Sequence, residues 1–106
     1  MILRVWRGYA SPATAEAYPR HLLETVRPKL ARLGGFRGLY LLRRNGEREV
    51  EYEVLTLWDS MAAVRAFAGA NPERAVVEPE EKAALVRYDT AVAHYDVVEG
   101  PGLTNP

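Results

Sequence analysis

The stretch FRGLYLLRRNGEREVEYEVLTLW, residues 36–58, decides the architecture. Two runs rich in aliphatic, aromatic and β-branched residues flank Asn45-Gly46, and both turn residues tolerate the positive φ that a tight hairpin demands. Phe36 to Arg44 and Arg48 to Trp58 therefore read as the arms of a hairpin. With Asn45-Gly46 as a two-residue loop, Leu41 faces Val50, Leu39 faces Tyr52 and Phe36 faces Leu55. Side chains alternate across a strand. One face then gathers Leu39, Leu41, Val50, Tyr52, Val54, Thr56 and Trp58. The other gathers Phe36, Gly38, Tyr40, Leu42, Leu55 and Leu57, together with Glu49, Glu51 and Glu53.

Outward from the hairpin, the apolar residues of positions 2–9 (Ile2, Leu3, Val5, Trp6, Tyr9) predict a preceding strand. Ser11-Pro12 opens a helix, with a hydroxyl to cap a free N–H and a proline suited to the first helical position. Its stripe is Tyr18, Leu22, Val26, Leu30 and Leu33, at helical spacing, and Gly34-Gly35 ends it. Pro28 lacks an N–H and predicts a kink or break near Arg27. After the hairpin, Asp59 or Ser60 caps a short helix from Met61 to Ala68, which Gly69 stops. Asn71-Pro72-Glu73 starts a helical turn, Pro79-Glu80-Glu81 starts a last helix to about Arg87, and Thr90 to Val98 forms the last strand. Residues 100–106 lack periodicity and read as a loose tail, leaving 1–99 as one domain.

The order strand, helix, hairpin, helices, strand is that of an α+β, ferredoxin-like split βαβ fold, an antiparallel sheet with helices on one face. Both faces of the hairpin are apolar, yet the helices cover only one. An uncovered face bearing Tyr40, Leu42, Leu55 and Leu57 predicts a partner surface, and sheet-to-sheet homodimerisation is the economical solution.

Composition bounds the function. The chain has 106 residues, 48% hydrophobic and 26% charged, enough for one core and too apolar for disorder. Without cysteine there are no disulfides, thiolate zinc sites, iron–sulfur clusters or thiol catalysis. No apolar run approaches the roughly 20 residues needed to span a bilayer. The segment Met1 to Arg7 reads as a mature start, and with the missing cysteine it implies a cytosolic protein. Fourteen basic residues balance fourteen acidic ones with no concentrated basic stripe, which argues against nucleic acid as a partner.

The block Leu55-Thr56-Leu57-Trp58-Asp59-Ser60, running into Met61 to Gly69, resembles the end of the third strand and next helix of the antibiotic-biosynthesis-monooxygenase-like superfamily. Those proteins are dimeric α/β barrels of about this length. The Trp6-Arg7-Gly8 stretch, Gly38 to Arg44 and the closing Val92 to Val98 are similar to an uncharacterised bacterial subgroup. The resemblance spans residues 2–98. It implies a dimeric α/β barrel with a pocket between sheet and helices, and in that setting Trp58 helps line the pocket. Known members include cofactor-free quinone-forming monooxygenases and heme-degrading monooxygenases. The strand-one Asn of both has no counterpart in residues 2–9, and the heme-ligating helical His none in residues 60–89.

The candidate site residues each have two readings. Trp58 is a pocket wall or strand-end core, and Phe67, spaced with Val64 on its helix, follows it. His94, on the last strand, is a general base near neutral pH or a satisfied neighbour of a carbonyl. Its neighbour Tyr95 must face the other way. Trp6, whose parity partners are Arg4 and Gly8, stacks on a ligand or packs. Arg7, on the opposite face with Leu3, Val5 and Tyr9, anchors an anion or pairs with a surface carboxylate. His21, next to the Leu22 stripe, is exposed or a hydrogen bonder on the helix surface. Glu47, Glu49, Glu51 and Glu53 form a carboxylate row that binds a metal or, with no His or Asp nearby, is a solvated, Arg-paired edge; no metal and no cofactor are expected. The expected pocket is lined by Trp58 and Phe67, with His94 as its polar member. Two functions follow: a cofactor-independent monooxygenase-like enzyme on a small aromatic or polyketide-like substrate, or a non-catalytic dimeric module that binds a small hydrophobic ligand or a protein.

Overall fold

The structure, a computed structural model, describes residues 1–102; residues 103–106, most of the expected tail, lie outside the described residues. An antiparallel sheet is built from β1 (Ile2–Ala10), β2 (Phe36–Asn45), β3 (Val50–Trp58), β4 (Arg87–Tyr88) and β5 (Ala93–Asp96). The strands lie in the order β2-β3-β1-β4, with β5 also on β1, so β1 is central. The predicted α+β, ferredoxin-like topology is the one observed.

One face of the sheet is covered by helices. After a 3₁₀ turn at Pro12–Thr14 come α1 (Ala17–His21), a π-turn at Leu22–Val26 and α2 (Arg27–Ala31). The helix was expected to kink or break near Arg27. The α-helical pattern is interrupted there by the π-turn, where the Arg27 N–H reaches back to the Leu22 carbonyl. Widening the helix just ahead of Pro28 absorbs its missing donor. Ser11 makes no cap: its hydroxyl pairs with Thr14 Oγ1 at 2.8 Å, and its carbonyl accepts the Thr14 N–H. Ser60 does cap α3 (Met61–Ala68), accepting the Ala63 N–H. Asp59 is taken by Arg37, in a two-bond ion pair.

The hairpin register differs from the expected one. Gly46 donates to the Glu49 carbonyl, so the loop spans four residues, and Asn45 pairs with Val50, Leu41 with Val54 and Leu39 with Thr56. A slip of four residues preserves alternation, and the predicted inner face survives: Val50, Tyr52, Val54, Thr56 and Trp58 are all buried. Phe36 is the exception. An irregularity between Phe36 and Gly38 turns it to the inner face opposite Trp58, with ring centroids 5.3 Å apart, edge to face.

The last strand is split. Helix α4 (Pro79–Ala84) ends before Arg87 because Arg87 and Tyr88 pair with Tyr9 and Gly8, as β4. Residues 89–92 then leave the ladder to meet a strap: Ala75 N–H donates to the Thr90 carbonyl and Val92 N–H to the Glu73 carbonyl. The chain rejoins β1 as β5, with His94 opposite Arg4. Gly35, at φ +84°, closes the helix layer where an added Cβ would lie 2.5 Å from that of Ala63.

Candidate functional site

Between the inner sheet face and the helices lies a cleft with a cavity volume of about 80 Å³. Its walls are mostly apolar: Trp6 and Val54 from the sheet, Leu22 and Leu30 from the helical segment, and Phe67 from α3. Few polar groups reach it, which is the usual make-up of a small-molecule site. Arg4 and Thr56 approach from the sheet, Glu81 and the more exposed Glu78 from α4.

Arg4 is 5% exposed on the inner face of β1. Its Nη1 donates to the Pro72 carbonyl and, at 2.9 Å, meets His94 Nε2, while Nη2 donates to the Arg74 carbonyl at 3.1 Å. Its guanidinium carbon lies 5.7 Å from the Phe67 ring centroid. Burial pulls its pKa below the ordinary arginine value, and Glu73 opposes that only through its field. An arginine can only donate, so His94 Nε2 accepts and carries no proton. Burial first, and the Arg4 charge second, hold His94 below its ordinary pKa, with Glu73 acting the other way.

Glu81 is 6% exposed on the helix wall. Burial raises its pKa above the usual carboxylate range, although the Glu78 N–H and the charge of His21 pull it back. Burial disfavours the charged form of a carboxyl, which is the direction of this shift. Nearby Tyr18 is pushed upward too, by burial and then by the field of Glu81.

The sequence-based candidates divide into three groups. Trp6 and Phe67 line the cleft; the Trp6 indole is fixed by its N–H to the Asp89 carbonyl at 2.8 Å and by the Tyr18 ring at 5.8 Å. Trp58 does not line it. It is fully buried, stacked beneath Phe67 at 5.3 Å, and donates to Thr56 Oγ1 at 2.9 Å. It is a wall support, because Phe36 and Phe67 sandwich it away from the opening. His94 is on the helix side, yet Arg4 stands between it and the cleft. Asp96, which shares its face, is exposed at the strand end and so escapes the burial that would have opposed this orientation. Tyr95 is exposed on the opposite face.

Arg7 lies outside the site. It projects from the far side of the sheet, 3.6 Å from Glu53. Glu49 and Glu51 are likewise paired with Arg87 and Arg44, so the carboxylate row is an Arg-paired edge. His21 is not an exposed helix-surface group: its side chain is 13% exposed, and Nε2 sits 3.8 Å from Glu78 without a hydrogen-bond partner. His21, Glu78 and Glu80 gather within 4.8 Å, and Lys29 Nζ, 3.9 Å from Glu78, already brings a cation there.

Sequence reasoning missed Arg4, Glu81 and Thr56 as site residues. The signal for Arg4 was its parity with Trp6 and Gly8 on β1. That for Glu81 was its spacing of four from Leu85 on the buried side of α4; both were read only as helix-end or strand residues.

No protein-family profile matches the chain, and no curated protein matches it in sequence. Solved structures do. A candidate antibiotic-biosynthesis monooxygenase from Caulobacter crescentus superposes with a TM-score of 0.63 at 25% identity, covering 92% of this chain and 90% of that one. The heme-degrader MhuD from Mycobacterium tuberculosis, with two hemes in its active site, gives 0.60 at 20% identity over 96% and 100% of the two chains. SnoaB, a cofactor-independent oxygenase from Streptomyces nogalater, gives 0.55 at 15% identity over 93% and 95%. The wall residues do not fit a heme ligand set: no His, Cys or Met side chain lines the cleft among the described residues, and the Tyr18 phenol resists ionisation. Over nearly its whole length, the chain shares the α+β fold of solved structures described as antibiotic-biosynthesis monooxygenases.

Proposed function

We propose that the protein is a cofactor-independent monooxygenase-like enzyme that takes a small aromatic or polyketide-like substrate into the helix-side cleft. One observation carries this reading: a mostly apolar cleft walled by the Trp6 and Phe67 rings contains a buried carboxyl, Glu81, shifted above its ordinary pKa. A carboxylate raised toward neutrality is matched to taking a proton from a weakly acidic phenol or activated methylene. The resulting carbanion or phenolate is electron-rich enough to reduce dioxygen directly, and enclosure shields it from water. His94 acts through Arg4, fixing the guanidinium and not touching substrate. Trp58 holds Phe67 in place from behind.

The working unit is a homodimer through the outer sheet face, where Tyr40 and Tyr95 are 60% and 57% exposed beside Leu42, Leu55 and Leu57. Clustered exposed apolar side chains of this kind mark an interaction surface.

The test is oxygen uptake with a reduced polycyclic phenol as substrate. Wild-type protein is expected to consume dioxygen, and Glu81→Gln to bind the phenol with uptake lost. Binding by the wild type without uptake favours the second reading, a non-catalytic dimeric module for a small hydrophobic ligand. The engagement of His94 by Arg4 supports that reading, since it leaves no histidine in the cleft to move protons.

A further inference from the structure

Arg4 is a buried cation with no direct ion pair. Among the described residues no carboxylate lies within ion-pairing distance of it, although seven other ion pairs are formed elsewhere. Its hydrogen-bond partners are two backbone carbonyls and an unprotonated imidazole, all neutral, and Glu73 acts on it only through its field. Taking a guanidinium out of water is costly unless it is both hydrogen-bonded and paired with opposite charge. Here the hydrogen bonding is largely supplied and the pairing is not.

The arrangement also fixes which way the group is spent. A guanidinium has five N–H donors in one plane. Three are engaged, by Pro72, Arg74 and His94, so two remain over. The engaged donors clamp the group from the strap and β5 sides, the Phe67 ring lies against it, and the residue borders the cleft. A clamped guanidinium with donors to spare at the border of a mostly apolar cleft recognises an oxyanion well, and the charge-assisted bond is stronger there than in water. The helix wall opposite presents Glu78 and Glu81, so the cleft has a cationic sheet end and an acidic helix end.

We infer that the ligand of this cleft is an aromatic or polyketide-like molecule carrying a preformed anionic group, a carboxylate or an acidic phenolate, bound at Arg4 with its apolar body between Trp6 and Phe67. This rests on the cleft being the substrate site, and it adds the charge of the substrate and its orientation. The anion seats at the sheet end, away from Glu78, and the group facing Glu81 is neutral and polar. Because His94 must accept from Arg4, protonating it both frees the clamp and adds a second cation. Affinity for the anion is therefore governed by a pair, not by Arg4 alone.

Calorimetric titration with 2-naphthoate, 2-naphthamide and 2-naphthylmethylammonium near neutral pH tests this. The carboxylate is expected to bind at least about tenfold more tightly than the amide, and the ammonium most weakly, as a charge-assisted bond in a dry site requires. Arg4→Met is expected to erase the difference between carboxylate and amide while both still bind; Lys29→Met, altering a cation at the helix end, is expected to preserve it. Because Arg4→Met also removes the clamp on the strap, the wild-type Arg4 Nε–H resonance is followed as well, and it is expected to shift with the carboxylate and not with the amide. Equal affinity for carboxylate and amide overturns the anion assignment and leaves the cleft standing. Failure of all three probes to bind overturns the cleft reading with it.

Discussion

The two faces of the sheet are similarly apolar in sequence and differ in what they bury. On the inner face, aromatic rings interlock: Trp6 on Tyr18, Tyr18 on Tyr52 and Trp58 on Phe67, with centroids 5.3–5.8 Å apart. Polar groups among the rings are held: Tyr52 Oη donates to the Ala15 carbonyl at 2.6 Å, the Trp6 indole to Asp89 and the Trp58 indole to Thr56. On the outer face, Tyr40, Leu42 and Tyr95 stand in the open and the charged groups pair along the rim. The contrast teaches that apolar content alone does not separate core from interface. What separates them is whether polar atoms have been satisfied within the chain, as on the inner face, or kept to the edge, as on the outer one.

The sharpest way to break this comparison is to charge the outer face. Leu55→Lys or Leu57→Lys is expected to weaken homodimerisation by at least about a thousandfold, since a two-fold interface receives the unpaired charge twice. Light scattering is expected to read a folded monomer. A native dimer with either lysine would place the interface elsewhere, and loss of all soluble protein would mean this face belongs to the core.

Next in size is the inner face. Trp58→Ala is expected to lower unfolding stability by about 3–5 kcal/mol in urea, as for a large buried ring. If Trp58 were an open pocket wall, the loss would be far smaller and ligand affinity would fall first.

A smaller effect is expected from acid. His94 is neutral in the folded state, with a pKa below its unfolded value, held down by burial and by Arg4 and opposed by Glu73. The unfolded chain therefore takes up the proton first, and this contribution to stability is lost as pH falls from the ordinary histidine value, about 6.5, toward the lowered one. Glu81 works in the opposite direction: its raised pKa means stability declines as pH rises past the ordinary carboxylate value, about 4.3. Melting temperatures across this range, repeated for His94→Gln and Glu81→Gln, separate the two. An acid limb unchanged in His94→Gln would contradict the clamp.

The smallest expected change is Tyr52→Phe, about 1 kcal/mol for one buried hydrogen bond to Ala15. A loss of several would show that the hydroxyl does more than the geometry gives it.

Much of this was legible because strand parity is robust. A hairpin register mistaken by four residues still put Val50 to Trp58 on the correct sides, since an even slip does not exchange faces. What parity could not reveal was the irregularity at Arg37, which carried Phe36 inward, or the strap that split the last strand. Both are set by contacts distant in sequence, such as Val92 with Glu73. The same limit governed the site. Trp6 and Phe67 were found as aromatic residues on inward faces. Trp58 was found too, though a second ring covers it. Arg4 was passed over because a buried arginine depends on carbonyls some seventy residues away, at Pro72 and Arg74, which no local pattern announces.

The central claim is that the ligand lies on the helix side of the sheet, one site per subunit. A crystal structure of the protein with a reduced polycyclic phenol tests it most directly. The expected result is ring density between Trp6, Leu22 and Phe67, with a polar substituent in reach of Glu81. Density confined to the outer face, or a cleft filled by repacked side chains with no ligand in it, would contradict the account.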